Sequence, residues 1–152
     1  MRIQVDCERI RRNTQAIAEL CAPQGIELVG ATKACCGHPD VARAMLAGGA
    51  TMLAESRLRN VRRLRAAGID ASVMMLRLPA LSQVDEVVQL TQVSLNSQVE
   101  TVRALSRAAQ ALGVTHRVIL MLETGDRREG VMPARALEVA QAMEEIVAAY
   151  SA

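Results

Sequence analysis

Five times after Ile26, a short apolar run gives way to a longer amphipathic one. That alternation restricts the chain to folds built from β-α units. Strands are predicted at Glu27–Thr32, Thr51–Ala54, Ser72–Leu76, Gln92–Leu95 and Arg117–Leu122. Helices are predicted from Pro39 to Gly48-Gly49, from Arg57 to Ala67, over Ser82–Leu90 with Ser82 as N-cap, and over Val99–Leu112. A last helix opens at Pro133. Proline in the first turn and glycine just past the end are the expected punctuation of such helices. Met1–Cys21, ahead of the pattern, reads as a short strand or arm and one helix. Strands joined through helices are parallel, and the unbroken apolar run Val118–Leu122 predicts a strand covered on both faces. Part of a (β/α)8 barrel and an open doubly wound sheet both fit, and no G-x-G-x-x-G follows the first strand to favour the second.

Composition excludes several classes of function. A chain of 152 residues suits one domain, and 51% hydrophobic with 22% charged residues is a globular balance. No apolar run approaches the ~18 residues of a membrane span, and the first seven residues lack the apolar core of a signal peptide. A cytoplasmic location is expected. Eighteen basic residues nearly balance sixteen acidic ones, and Tyr150 is the one aromatic side chain, so neither a basic footprint nor a stacking platform for nucleic acid is present. Cys7, Cys21, Cys35 and Cys36 form no CxxC pair and read as reduced thiols.

Of the eighteen basic residues, only Lys33 is a lysine. Arginine replaces lysine as surface charge, but a guanidinium cannot act as a free amine. Parallel β-α folds gather their chemistry at the carboxyl ends of the strands. Lys33 follows the first predicted strand, Glu55-Ser56-Arg57 the second, Arg77 the third, Asn96 and Ser97 the fourth, and Glu123 to Arg128 the fifth. Partial burial and neighbouring arginines are expected to lower the pKa of Lys33 and favour a neutral nucleophile, as a Schiff base with pyridoxal 5'-phosphate requires. Arg128 is a candidate donor to the phenolic oxygen of that cofactor, with a salt bridge to Glu123 or Asp126 as the alternative. Cys36 and His38 are two metal-type ligands without the further ones a site needs. His116 reads as a surface turn residue. Arg57, Arg59, Arg62, Arg63 and Arg65 read as the solvated face of a helix, with a phosphate patch as the alternative.

Several stretches together resemble the alanine racemase family of fold-type-III pyridoxal-phosphate enzymes, nearest its ornithine or general amino-acid racemase branch. They are Val29-Gly30-Ala31-Thr32-Lys33, Cys36-Gly37-His38-Pro39-Asp40, Gly48-Gly49, Glu55-Ser56-Arg57, Ser94-Leu95-Asn96-Ser97 and Met121 to Gly130. The resemblance implies an isomerase acting on a small-molecule amino acid. It implies that Lys33 forms the internal aldimine and takes part in proton transfer at the α-carbon, and that Arg128 lies near the hydroxyl of the pyridine ring. It further implies that residues 1–152 form an N-terminal-type domain, a partial TIM barrel of about five β-α units without the family's C-terminal β domain. A full barrel needs about 250 residues. The family's second base, a tyrosine, comes from that other domain and is not carried over to Tyr150. The tyrosine that follows the lysine motif in alanine racemases has no counterpart beside Gly37-His38. Open strand edges and an uncovered inner face predict a homo-oligomer, unless the chain rearranges into an open sheet with its last helix over one face. Two other readings stand beside the racemase: a non-catalytic carrier resembling single-domain pyridoxal-phosphate homeostasis proteins, and a structural module with a relic site.

Overall fold

The computed structural model describes residues 4–148, so Met1–Ile3 and Tyr150 lie outside it. Five strands, β1 (Val29–Ala31), β2 (Met52–Glu55), β3 (Val73–Met75), β4 (Val93–Asn96) and β5 (Arg117–Leu120), follow one another across a single sheet in chain order. The registers are parallel: Val29, Gly30 and Ala31 lie opposite Met52, Leu53 and Ala54, and Val93 to Asn96 opposite Arg117 to Leu120. Helix α1 (Cys7–Cys21) precedes the strands, and α2 (Pro39–Ala47), α3 (Leu58–Ala66), α4 (Val84–Leu90), α5 (Val99–Leu112) and α6 (Ala136–Ala148) alternate with or follow them. The chain separates into two compact units after Met74. Among the described residues no helix is long and apolar enough to cross a membrane.

In the first unit, Asp6 caps α1 by accepting the Arg9 amide at 2.9 Å, while residues 4–6 form no strand. Helix α1 runs so close to the end of α2 that a Cβ on Gly48 would collide with the Arg11 carbonyl oxygen and with Thr14. Only glycine permits that approach. Pro39 occupies the first turn of α2, and His38 caps it, Nδ1 accepting the Asp40 amide at 3.3 Å. All four residues of β2 are buried, as are Leu58, Val61 and Leu64 on one stripe of α3. Leu53, Val61, Leu64 and Val73 have no exposed surface, and burying each side chain is worth about 1.5–3 kcal/mol.

In the second unit, α5 keeps the bounds expected of it and ends on Gly113 in the left-handed conformation (φ 65°). Ser82 is not the N-cap of α4. It lies within a 3-10 turn, Leu81–Gln83, that precedes the helix, because the chain tightens before it can form α-helical bonds. The fifth strand is shorter than predicted and is not covered on both faces. Val118 and Leu120 pack against the cluster that α5 and α6 build from Val102, Val139, Met143 and Ile146, whereas Arg117 and Ile119 are exposed. Beyond β5, Leu122 bridges Val131 and closes a loop.

Candidate functional site

Lys33 opens a 3-10 turn (Lys33–Cys35) immediately after β1. The turn is wound tightly on the Thr32 carbonyl, which accepts the amides of Cys35 and Gly37, each at 3.1 Å. Thr32 itself is fully buried, its hydroxyl 3.3 Å from Glu55 Oε1. Glu55 ends β2 with no exposed surface, and its Oε2 accepts from Asn60 Nδ2 at 2.8 Å and from the Ser56 amide at 3.2 Å. Arg63 ties the far side of the turn by donating to the Cys36 carbonyl at 3.1 Å. The lysine is thus set on a loop whose root is a buried carboxylate network spanning β1, β2 and α3. Lys33 is exposed, which corrects the expectation of partial burial: it opens a turn beyond the end of β1 instead of lying within the strand. The Lys33 carbonyl accepts the Cys36 amide at 3.3 Å, while its side-chain amine has no hydrogen bond or ion pair among the described residues.

Arg128 belongs to the second unit, on the loop closed by the Leu122–Val131 bridge. The Glu123 amide donates to the Val131 carbonyl at 2.8 Å, and Gly130 lies so close to Leu122 and Glu123 that a Cβ there would meet their backbone. Arg127 adopts φ 50°, a left-handed conformation that costs a non-glycine residue energy. The Glu123 side chain turns into the loop and accepts the amides of Gly125 and, at 3.2 Å, Arg128. The backbone amides of Arg127 and Gly125 hold its carboxyl below the usual range, against the opposing effect of burial. A salt bridge between Glu123 and Arg128 is therefore not what the loop contains; the carboxylate takes the arginine's backbone amide. The Arg128 guanidinium is exposed, has no partner among the described residues, and lines a cavity of about 530 Å³ with Ser97, Gln98, Glu129 and Arg135.

A buried polar chain lies along β4. His116 Nδ1 is 3.2 Å from the Thr91 carbonyl, which can only accept, so that nitrogen carries the proton. Nε2 then accepts from Ser94 Oγ at 2.9 Å, and Ser94 Oγ accepts from Asn96 Nδ2 at 3.0 Å. The Asn96 amide cannot be turned over, because Nδ2 also donates to the Ser94 carbonyl at 3.0 Å. Its Oδ1 is buried and has no hydrogen-bond partner among the described residues. His116 is half-buried, not a surface turn residue, and that burial lowers its pKa despite the hydrogen bond to Thr91.

The remaining candidates resolve into structural roles. Cys36 and His38 join no metal-binding group among the described residues, and His38 serves as a helix cap. Arg59 and Arg62 are exposed as a solvated face requires. Arg65 is not: its Nη1 donates to the carbonyls of Ile69 at 2.7 Å and Ala71 at 2.8 Å, and burial lowers its pKa. Sequence reasoning did not single out Thr32, Asn60 or Ser94 as partners of these networks. A signal existed for Asn60, which stands on the same helical stripe as Val61 and Leu64 where an apolar residue would be expected.

Residues 5–149 match the family described as "Alanine racemase, N-terminal domain". The chain is 32% identical over 137 residues to an ornithine racemase of Acetoanaerobium sticklandii, covering 90% of this chain and 38% of that protein. It is 33% identical over 137 residues to a lysine racemase of Thermotoga maritima, covering 90% and 39%. Among solved structures, alanine racemase from the D-cycloserine producer Streptomyces lavendulae superposes with a TM-score of 0.83 at 26% identity, covering 95% of this chain and 38% of that one. The chain therefore spans less than two-fifths of the length of these relatives. Between the two architectures left open by the β-α pattern, the likeness selects the (β/α)8 barrel, of which this α/β chain is a fragment with five parallel strands in an open sheet.

Proposed function

The chain belongs to the alanine racemase N-terminal domain family, and on that premise we propose that it is the lysine-bearing part of a pyridoxal-phosphate-dependent amino-acid racemase. The observation that carries the proposal is Lys33: the one lysine of the chain stands at the carboxyl end of β1, exposed and with an amine that has no partner among the described residues. The donor set suits the cofactor. Lys33 would supply a primary amine for its aldehyde, and Arg128, whose guanidinium has no partner among the described residues, a cation for its phenolic oxygen. Pyridoxal phosphate supplies an electron sink for the negative charge left when the α-proton of an amino acid departs. Lys33 would hold the cofactor through Nζ and would move the α-proton of the substrate on its own face. Arg128 would orient the ring through its hydroxyl. The substrate class is a free amino acid, which the activities named for the relatives support at family level.

In this reading residues 1–152 are one N-terminal-type domain that works in a cytoplasmic homo-oligomer. The four free cysteines support that location, and exposed Ile119, Leu122 and Leu137 support association.

Borohydride reduction of the chain with pyridoxal phosphate, followed by peptide mapping, tests the assignment. A pyridoxyl group on Lys33 is expected, absent in Lys33→Arg. Labelling of the N-terminal amine alone would overturn it. Racemisation of free ornithine, lysine or alanine then separates an enzyme from a carrier that binds the cofactor without turnover.

A further inference from the structure

We propose that Glu123 is the positioning residue of Arg128, an inference that rests on the functional reading above. Three features of loop 123–131 carry it. The loop is closed at its neck by the Glu123 amide on the Val131 carbonyl and by Gly130 packed against the backbone of residues 122–123. The Glu123 side chain, 7% exposed, points into the closed loop and gathers the amides of Gly125 and Arg128. The guanidinium that the same loop presents has no partner among the described residues.

The arrangement divides the work between two charges. A carboxylate beside an arginine ordinarily pairs with the guanidinium, and the arginine is then lost to a ligand. Here the left-handed turn at Arg127 points the backbone amides inward, so the carboxylate is satisfied by the main chain of the residue whose side chain it leaves alone. Asp126 and Glu129 share the loop and are not ion-paired to Arg128 either. Glu123 therefore sets the position of the Arg128 Cα and keeps the guanidinium available.

A double-mutant cycle on cofactor affinity tests this in the full chain, with amide hydrogen exchange as a second readout on the cofactor-free protein. Glu123→Gln keeps the shape but weakens the acceptor of the loop amides. It is expected to speed exchange at Gly125 and Arg128 and to weaken pyridoxal phosphate binding by about tenfold, the loss of one charge-assisted hydrogen bond. Arg128→Gln alone should also weaken binding, and adding Glu123→Gln to it should cost nothing further. Glu123→Asp, which retains the charge with a shorter reach, should fall between, and serves if the glutamine variant does not fold. Additive losses, or unchanged exchange at both amides, would show that Glu123 acts elsewhere and overturn the proposal. Failure of the wild-type chain to take up pyridoxal phosphate on Lys33 would instead overturn the functional reading, and this inference with it.

Discussion

The loop that carries Lys33 and the loop that carries Arg128 are both anchored on a glutamate at or just beyond a strand end, yet they are anchored in different ways. Glu55 is wholly buried and draws on the side chains of Thr32 and Asn60, so the Lys33 turn is tied to β1, β2 and α3 at once. Glu123 draws on backbone amides within its own loop. The first anchor is part of the packed interior and cannot be loosened without disturbing it. The second is local: the side-chain bonds of Glu123 stay within one loop, and that loop meets the cluster of α5 and α6 through Val131 at its neck. Two loops that resemble each other as strings of polar residues after a strand thus differ in how far a change in them travels.

That contrast can be broken by substitution. Glu55→Ala orphans the buried Asn60 amide and the partly buried Ser56 amide, and at about 1–3 kcal/mol for each group the unfolding free energy should fall by about 2–6 kcal/mol. Urea denaturation measures it; a loss below about 1 kcal/mol would mean that the network is not an anchor. Ser94→Ala removes the link between His116 Nε2 and Asn96 Nδ2 and should cost about 1–3 kcal/mol by the same assay. A neutral outcome would show that the polar chain along β4 is not coupled.

The pH dependences sharpen the contrast further. Burial lowers the pKa of His116 in the folded chain, so the unfolded state binds its proton first. Its contribution is complete above the unfolded value of about 6.5 and is lost as pH falls below it. Urea midpoints at neutral and mildly acidic pH should therefore differ, and His116→Gln should reduce the difference. The smallest global effect is expected at Glu123. Its carboxyl is lowered, so its contribution is present above the unfolded value of about 4.3 and disappears as pH falls through the lower folded value. The Gly125 and Arg128 amide resonances should titrate together below about pH 4.3 with no change at residues of α5. A midpoint above that value would contradict the backbone anchoring of this loop.

Much of the architecture is legible in the residues alone. The β-α alternation gave the order of elements, and Val99–Leu112 was bounded correctly because an alanine-rich amphipathic run ending in glycine carries its own start and stop. Lys33 stood out by composition and by its place after an apolar run. Other details were not legible. The run 117–122 reads as fully buried, but apolar residues in a strand do not say which face is covered, and only Val118 and Leu120 meet the helices. Nothing in the residues around His116 announces that it joins Ser94 across 22 positions of chain.

Sequence alone thus determined the class of fold, the family and the single amine from which the chemistry is argued, because hydrophobic periodicity and residue identity are local properties. The tertiary structure decided what each ionisable group touches. Glu55 reaches Thr32 across 23 positions of chain, and Glu123 takes a backbone amide where an ion pair was equally compatible with the string of residues. Hydrogen bonds form between whatever donors and acceptors folding brings to within about 3 Å, and a polar group shut away from water must take the partner it finds there.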